Sequence, residues 1–381
     1  MKAQNNKLMI ITGEVSGDLI GASLIRELKS LKPELKITGI GGDRMQSAGM
    51  ELVYHTDQMA FLGFVEVVKH LPFIKQVQKN LIEIIKKENI KYVVLIDYPG
   101  FNLSIAKKLK SLGVKIIYYV SPQIWAWAKG RVKKVKKLVD KMIVVFPFEV
   151  EFYKKENVNV EYVGHPLVER INEYNFLDKD KFFTKFNLDK DKEILLVMPG
   201  SRKQEVKEIF PEVIKAATVL ADKYNLQVVV ARSKNIDQKY FDQLTNSENF
   251  ITITDHNYEL MKYSRFGIIK SGTSTLEAGY FALPMIVVYK TSPLTYMIGK
   301  RLIKLDKIGM VNILFDEMIV PELIQNDANP ENIIETVSKI LSNTQTYANM
   351  KLKLGRVKEI LGDDGASRKA AKSILETLNE S

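Results

Sequence analysis

Short aliphatic and β-branched runs alternate with amphipathic stretches along almost the whole chain. The runs Leu8–Thr12, Lys36–Ile40, Tyr92–Ile96, Lys115–Val120, Met142–Val145 and Glu161–Val163 predict strands in the first half. Ile194–Met198, Leu226–Ala231, Phe250–Thr254, Gly267–Ile269 and Met285–Val288 predict strands in the second. Several are apolar without a break, as in Tyr92-Val93-Val94-Leu95-Ile96. Strands buried on both faces read this way, and they belong to parallel sheets covered by helices. Between the runs the apolar positions follow a helical period, as in Leu19, Ile20, Leu24, Ile25 and Leu28. The predicted class is α/β, doubly wound.

The alternation breaks over Arg170–Lys192, which is rich in Asp, Lys, Asn and Phe and carries no strand pattern. It restarts at Ile194. Two Rossmann-like halves joined near residue 170 are expected, with domains 1–170 and 171–345, and closing helices over 346–381. The chain of 381 residues has no Cys, which excludes disulfides and thiolate chemistry, and its four His form no metal-ligand spacing. No run reaches the ~18 apolar residues of a membrane span, and the first residues lack a signal-peptide pattern. A cytoplasmic location is expected. The net charge of +11 points to an anionic partner.

In open parallel sheets ligands bind beyond the carboxyl ends of the strands, so chemistry is sought there. Gly13-Glu14-Val15-Ser16-Gly17-Asp18 follows the first strand. It is neither a dinucleotide fingerprint nor a P-loop. Ser16 or Asp18 can cap the next helix, whereas Glu14 is harder to explain as a cap. Asp97 follows the buried run Tyr92–Ile96 and suits a general base, a cap or a loop staple; burial would raise its pKa toward a useful range. Ser121-Pro122-Gln123-Ile124-Trp125-Ala126-Trp127 holds both Trp, either as a packed loop or as a wall for a sugar or acyl chain. The basic run Lys129–Lys141 is either a solvated helix face or an anion attractor. In Pro199-Gly200-Ser201-Arg202, Gly200 lets backbone approach closely and Arg202 can grip phosphate. Ser271-Gly272-Thr273-Ser274-Thr275 offers amides and hydroxyls to a diphosphate at a helix N-terminus, and Glu277 can accept from ribose hydroxyls. Met59–Val77, with Phe61, Val65, Val68, Leu71, Phe73 and Ile74, is either core or a greasy patch for lipid.

Taken in order, these motifs closely resemble the lipid-A-disaccharide synthase family. Gly41-Gly42-Asp43-Arg44-Met45, Phe146-Pro147-Phe148-Glu149 and Gly164-His165-Pro166 join the stretches above, and the match covers about residues 7–330. The resemblance implies a GT-B fold, two Rossmann-like domains across an interdomain cleft, with the C-terminal helices crossing back to the first domain. It implies inverting transfer of 2,3-diacylglucosamine from UDP-2,3-diacylglucosamine to 2,3-diacylglucosamine 1-phosphate, without a metal or other cofactor. The product would be a β-1,6-linked disaccharide 1-phosphate, formed at the inner face of the cytoplasmic membrane, an anionic surface.

On this reading Asp97 is the base and Glu14 a second catalytic group. Ser16, Gly17, Ser201, Arg202, Gly272, Thr273, Ser274, Thr275 and Glu277 bind substrate or UDP. Asn312 and Gln325 match further functional positions of the family. Two departures stand out: Gly100 replaces a usual acidic residue, and Lys270 replaces a small one. The competing readings are another UDP-sugar GT-B enzyme (peptidoglycan N-acetylglucosaminyltransferase-like or UDP-sugar 2-epimerase-like) and a non-catalytic membrane scaffold. No nucleic acid partner is expected, because the basic run lacks stacking aromatics or a reading helix. A homodimer is left open.

Overall fold

The structure, a computed structural model, describes residues 6–59, 70–122, 132–247, 249–292, 296 and 306–379. Strands β1 (Lys7–Ile11), β2 (Lys36–Gly41), β3 (Glu51–His55), β4 (Tyr92–Ile96), β5 (Lys115–Tyr119), β6 (Lys141–Val144) and β7 (Val160–Tyr162) form one sheet. Their order is β3-β2-β1-β4-β5-β6-β7 and every pairing is parallel. Strands β8 (Glu193–Met198), β9 (Leu226–Ala231), β10 (Ile251–Ile253), β11 (Ser264–Lys270), β12 (Met285–Tyr289) and β13 (Glu322–Ile324) form a second parallel sheet, ordered β10-β9-β8-β11-β12-β13. Both orders reverse after the first strand of the unit, the doubly wound pattern. The expected α/β class holds.

The central strands are apolar because both faces are covered. All five residues of β4 are buried, and Leu8 to Ile11 of β1 are fully so. Two strands escaped the sequence reading, β3 and β13. Both are edge strands; β3 is exposed or half-buried throughout and β13 has three residues, so neither carries the continuous apolar run that marks the interior.

The chain divides into a first unit, residues 1–169 with 361–381, and a second, 170–360. Helices Thr344–Gly355 and Val357–Ile360 therefore go with the second unit, correcting the expectation that everything after residue 345 leaves it. Only the last helix, Ala366–Asn379, packs in the first unit, on helix Val15–Leu31. Its anchor is polar. The buried Glu169 carboxylate accepts from the Ser367 amide at 2.7 Å and from its hydroxyl at 2.5 Å. Lys141 is spent here too, on Glu161 at 2.9 Å, and so drops out of the solvated basic run. The rest of that run's described part is a solvated face: Val132, Val135 and Leu138 are buried, while Lys133, Lys134, Lys136 and Lys137 are exposed.

The turn after β1 is built by close approach. A methyl group on Gly17 would lie 1.8 Å from the Thr12 hydroxyl, and one on Gly13 would lie 2.3 Å from the Tyr98 ring. Gly17→Ala should therefore destabilise the first unit by about 1–3 kcal/mol. Adding Thr12→Ala, which removes that hydroxyl, should restore most of the loss; thermal unfolding of the single and double variants reads both.

Candidate active site: two strand-end turns

The topological switch of the first sheet falls between β1 and β4. The residues leaving these strands are Glu14 and Asp97, so both sequence-predicted carboxylates come to one place. Asp97 and Tyr98 have φ of 45° and 46°, left-handed values that non-glycine residues seldom adopt. Such a pair costs on the order of 1–3 kcal/mol per residue unless neighbours hold it. They do. The Asn102 amide donates to the Asp97 carbonyl at 2.7 Å and to that of Ile96 at 3.2 Å, and the Tyr118 hydroxyl donates to the Asp97 carbonyl at 2.5 Å. Tyr98 lies against Gly13, donates to the Met59 carbonyl at 2.9 Å and stacks on Phe101.

Burial, and then the nearby Glu14 charge, push the Asp97 carboxyl up to about 6. It is a carboxylate that takes and gives a proton near neutral pH. Glu14 is exposed and stands at the N-cap position of helix Val15–Leu31, with no side-chain capping bond. Ser16 is half-buried in the first turn; Gly17 is buried and serves the packing on Thr12. Asp18 caps a different helix from the one expected. Its carboxylate accepts from the Gly42, Arg44 and Met45 amides at 2.7, 3.3 and 3.1 Å, at the start of helix Asp43–Ser47.

The second sheet switches between β8 and β11, and a cavity of about 200 Å3 opens at those strand ends. Gly200, Ser201, Gly272, Thr273 and Ser274 line it, as the strand-end rule anticipates. Glu205, Arg232, Ser233, Asn257 and Lys270 line it as well. Arg232 directly follows β9 and was overlooked because no motif surrounds it, although the same rule applies to that strand. Its Nη1 donates to the Ile236 carbonyl at 2.8 Å, while its Nε is buried without a partner among the described residues. Arg202 is exposed at the N-cap of helix Lys203–Tyr224, with Nη1 3.6 Å from Glu205. Glu205 also takes Lys270 at 2.9 Å and the Ser201 amide at 3.1 Å. Thr273 and Ser274 of the first turn of helix Thr273–Tyr280 line this cavity, and the amide end of a helix favours an anion.

Three of the expected ligand residues are hydrogen-bonded within the protein. Thr275 is fully buried, its hydroxyl donating to the Gly272 carbonyl at 2.8 Å and accepting from the Met310 amide at 3.0 Å. Asn312 is fully buried and saturated by the Glu322 carboxylate, the Val320 carbonyl and the Ile319 and Val320 amides. Gln325 pairs through both ends of its amide with the Thr291 backbone, at 2.7 and 3.0 Å. Asn312 is the most fully committed of the three, while Gln325 is half-buried and keeps one amide N–H beyond its two bonds to Thr291. Glu277 sits 16% exposed and gives Oε1 to Arg170 at 2.8 Å.

Leu71 and Phe73 of the apolar stretch are exposed at the start of helix Leu71–Glu88, while Ile74 packs on the core. Phe61, Val65 and Val68 lie outside the described residues, as do Trp125, Trp127, Lys129 and Arg131. Ser121, before the Trp loop, donates to the buried carboxylate of Glu149.

Two Rossmann-like units, each with polar groups at its switch point, define a GT-B protein. Solved structures agree on that fold. The UDP-GlcNAc 2-epimerase from Neisseria meningitidis bound to UDP-GlcNAc superposes with a TM-score of 0.63 at 14% identity, over 98% of this chain and 100% of that one. The glycotransferase of kitacinnamycin gives 0.66 at 12% identity, over 97% and 98%. Sequence goes further. A family model described as lipid-A-disaccharide synthetase matches residues 8–376. The lipid-A-disaccharide synthase of Geobacter sulfurreducens is 40% identical over 99% of this chain and 98% of its own length. That of Coxiella burnetii strain RSA 331 is 38% identical over 97% and 98%. The chain belongs to the lipid-A-disaccharide synthase family, hexosyltransferases of lipid A biosynthesis. No described helix is long and apolar enough to cross a membrane.

The raised Asp97 carboxyl has two consequences. If it is the base, kcat/KM should rise with pH through about 6 and then level. Glu14→Gln removes a negative neighbour, so the acid limb should move to lower pH. Stability has the opposite sense: a native pKa above the ordinary 3.8 means the ionised buried group costs most above pH 6 and nothing below 3.8. Asp97→Asn should stabilise the protein at pH 8, by about 3 kcal/mol at most, and leave it unchanged near pH 3.

Proposed function

We propose that this protein joins UDP-2,3-diacylglucosamine to 2,3-diacylglucosamine 1-phosphate by inverting transfer, giving the β-1,6-linked disaccharide 1-phosphate and UDP. The observation that carries the reading is the split of chemistry between the two strand-end turns. The first unit offers the Asp97 carboxyl, pushed up to about 6. The second offers a cavity lined by Ser201, Arg232, Lys270 and the first turn of helix Thr273–Tyr280.

Asp97, largely ionised at neutral pH, takes the proton of the acceptor 6-hydroxyl as its oxygen attacks the anomeric carbon. The bond from that carbon to UDP breaks on the opposite face, which inverts the centre. The departing diphosphate gains negative charge. Arg202, Arg232 and the amides of Thr273 and Ser274 answer it, and preorganised donors of this kind contribute several kcal/mol to a barrier. Glu277 takes the ribose hydroxyls. Lys270 brings less charge than its position suggests, because Glu205 already pairs with it.

The acyl chains have apolar surface to meet on the first unit. Val15, beside Glu14, is 60% exposed, and Leu71 and Phe73 are exposed as well. The lysine face of helix Val132–Leu138 suits an anionic membrane surface.

Mass spectrometry of a reaction containing both substrates and EDTA tests the proposal. Disaccharide 1-phosphate and UDP should appear in equal amounts. Arg202→Ala should weaken UDP binding about tenfold, the loss of one charge-assisted contact. Epimerised UDP-sugar without disaccharide would instead move the protein to the chemistry named for its epimerase-like structural neighbours.

A further inference from the structure

Arg170 is the first residue of the second unit, on helix Pro166–Asn172, and no strand-end motif includes it. Its Nη2 donates to Glu277 Oε1 at 2.8 Å and to the Tyr258 hydroxyl at 2.9 Å. The two charged side chains are only 25% and 16% exposed. Tyr258 is itself fixed, edge-on to Tyr174 at 5.0 Å and tilted on Phe281 at 5.8 Å. Its neighbour in sequence, Asn257, lines the cavity. Glu277 stands four residues after Thr273, and residues four apart share one helix face; Thr273 lines the cavity too. Glu277 Oε2 makes no hydrogen bond with the described residues.

We propose that Arg170 is a positioning residue for nucleotide recognition: its guanidinium takes one oxygen of Glu277 and so holds the other as an acceptor for the ribose hydroxyls. The inference rests on the reading of Glu277 as the ribose carboxylate. A buried carboxylate left alone protonates or turns toward any other donor. Burial does push Glu277 upward, and the Arg170 charge and hydrogen bond oppose it. The planar fork adds direction that a lysine would lack. Arg170 Nε is buried with no partner among the described residues, so the guanidinium keeps a donor in reserve.

Calorimetric titration of the full chain with UDP and with 2′,3′-dideoxy-UDP separates recognition from mere packing. The wild type should prefer UDP by about tenfold or more, the value of hydrogen bonds to a charged group. Arg170→Gln should lose most of that preference and bind dideoxy-UDP within about twofold of the wild type. Arg170→Lys should fall between, and it carries the same test should the Gln variant misfold. A preference unchanged in both variants overturns the inference, as does equal weakening of both ligands, which would make the pair a packing feature. The underlying reading fails separately: a wild type that binds both ligands alike removes Glu277 from the ribose, and the inference with it. A preference abolished by Glu277→Gln yet untouched in both Arg170 variants sinks the inference alone.

Discussion

The left-handed turn that ends β4 is the constraint on which the first unit's chemistry depends. Asp97 and Tyr98 both adopt a backbone conformation that costs free energy, and the surrounding residues exist in part to hold it. Asn102 and Tyr118 bind the Asp97 carbonyl, and Gly13 has no side chain because the Tyr98 ring occupies that space. The carboxyl is thereby kept in a poorly solvated place next to Glu14, where its proton is held up to about pH 6. Without the turn Asp97 would be an ordinary surface acid, ionised at any physiological pH.

The second unit solves the complementary problem. On the proposed reading it receives a strongly anionic group, and the Nε of Arg232 in its cavity has no partner among the described residues. Gly200, Ser201, Gly272, Thr273 and Ser274 line the cavity with little side-chain bulk. The Ser271 hydroxyl donates to the Ile308 carbonyl, and the loop that starts there is stitched by a polar network around the buried Asn312. Glu322 accepts from the Ile308 and Gly309 amides and from Asn312, which in turn binds Ile319 and Val320. A buried network of this kind stabilises only when complete, since an orphaned member costs about 1–3 kcal/mol.

Much of this is legible in the sequence, because both faces of a parallel sheet are buried and its strands announce themselves. β4 and β9 have the boundaries their apolar runs predict, whereas the edge strands β3 and β13 do not stand out. The strand-end rule finds Glu14, Asp97, Ser201 and the turn at Gly272. It also finds Arg232, once applied to β9 as to the others. What sequence cannot supply is whether a polar side chain is already satisfied. Asn312, Thr275 and Gln325 carry the right chemistry for a ligand, yet each is also bonded within the protein, with backbone groups of neighbouring loops among its partners. Asp18 likewise caps a helix 25 residues away in sequence rather than its own, a contact made only by the fold. Arg170 lies in a stretch with no pattern, and only the structure brings it to Glu277.

The account stands or falls on the division of labour between base and nucleotide cavity. The most direct test measures UDP affinity and turnover together in Asp97→Asn, an uncharged isostere that cannot take a proton. UDP should bind within about twofold of the wild type while turnover falls by about a hundredfold or more, the usual contribution of a general base. Turnover near the wild-type level would contradict the account. Asp97 would then be a structural residue of the β4 turn, and Glu14 the next candidate for the base.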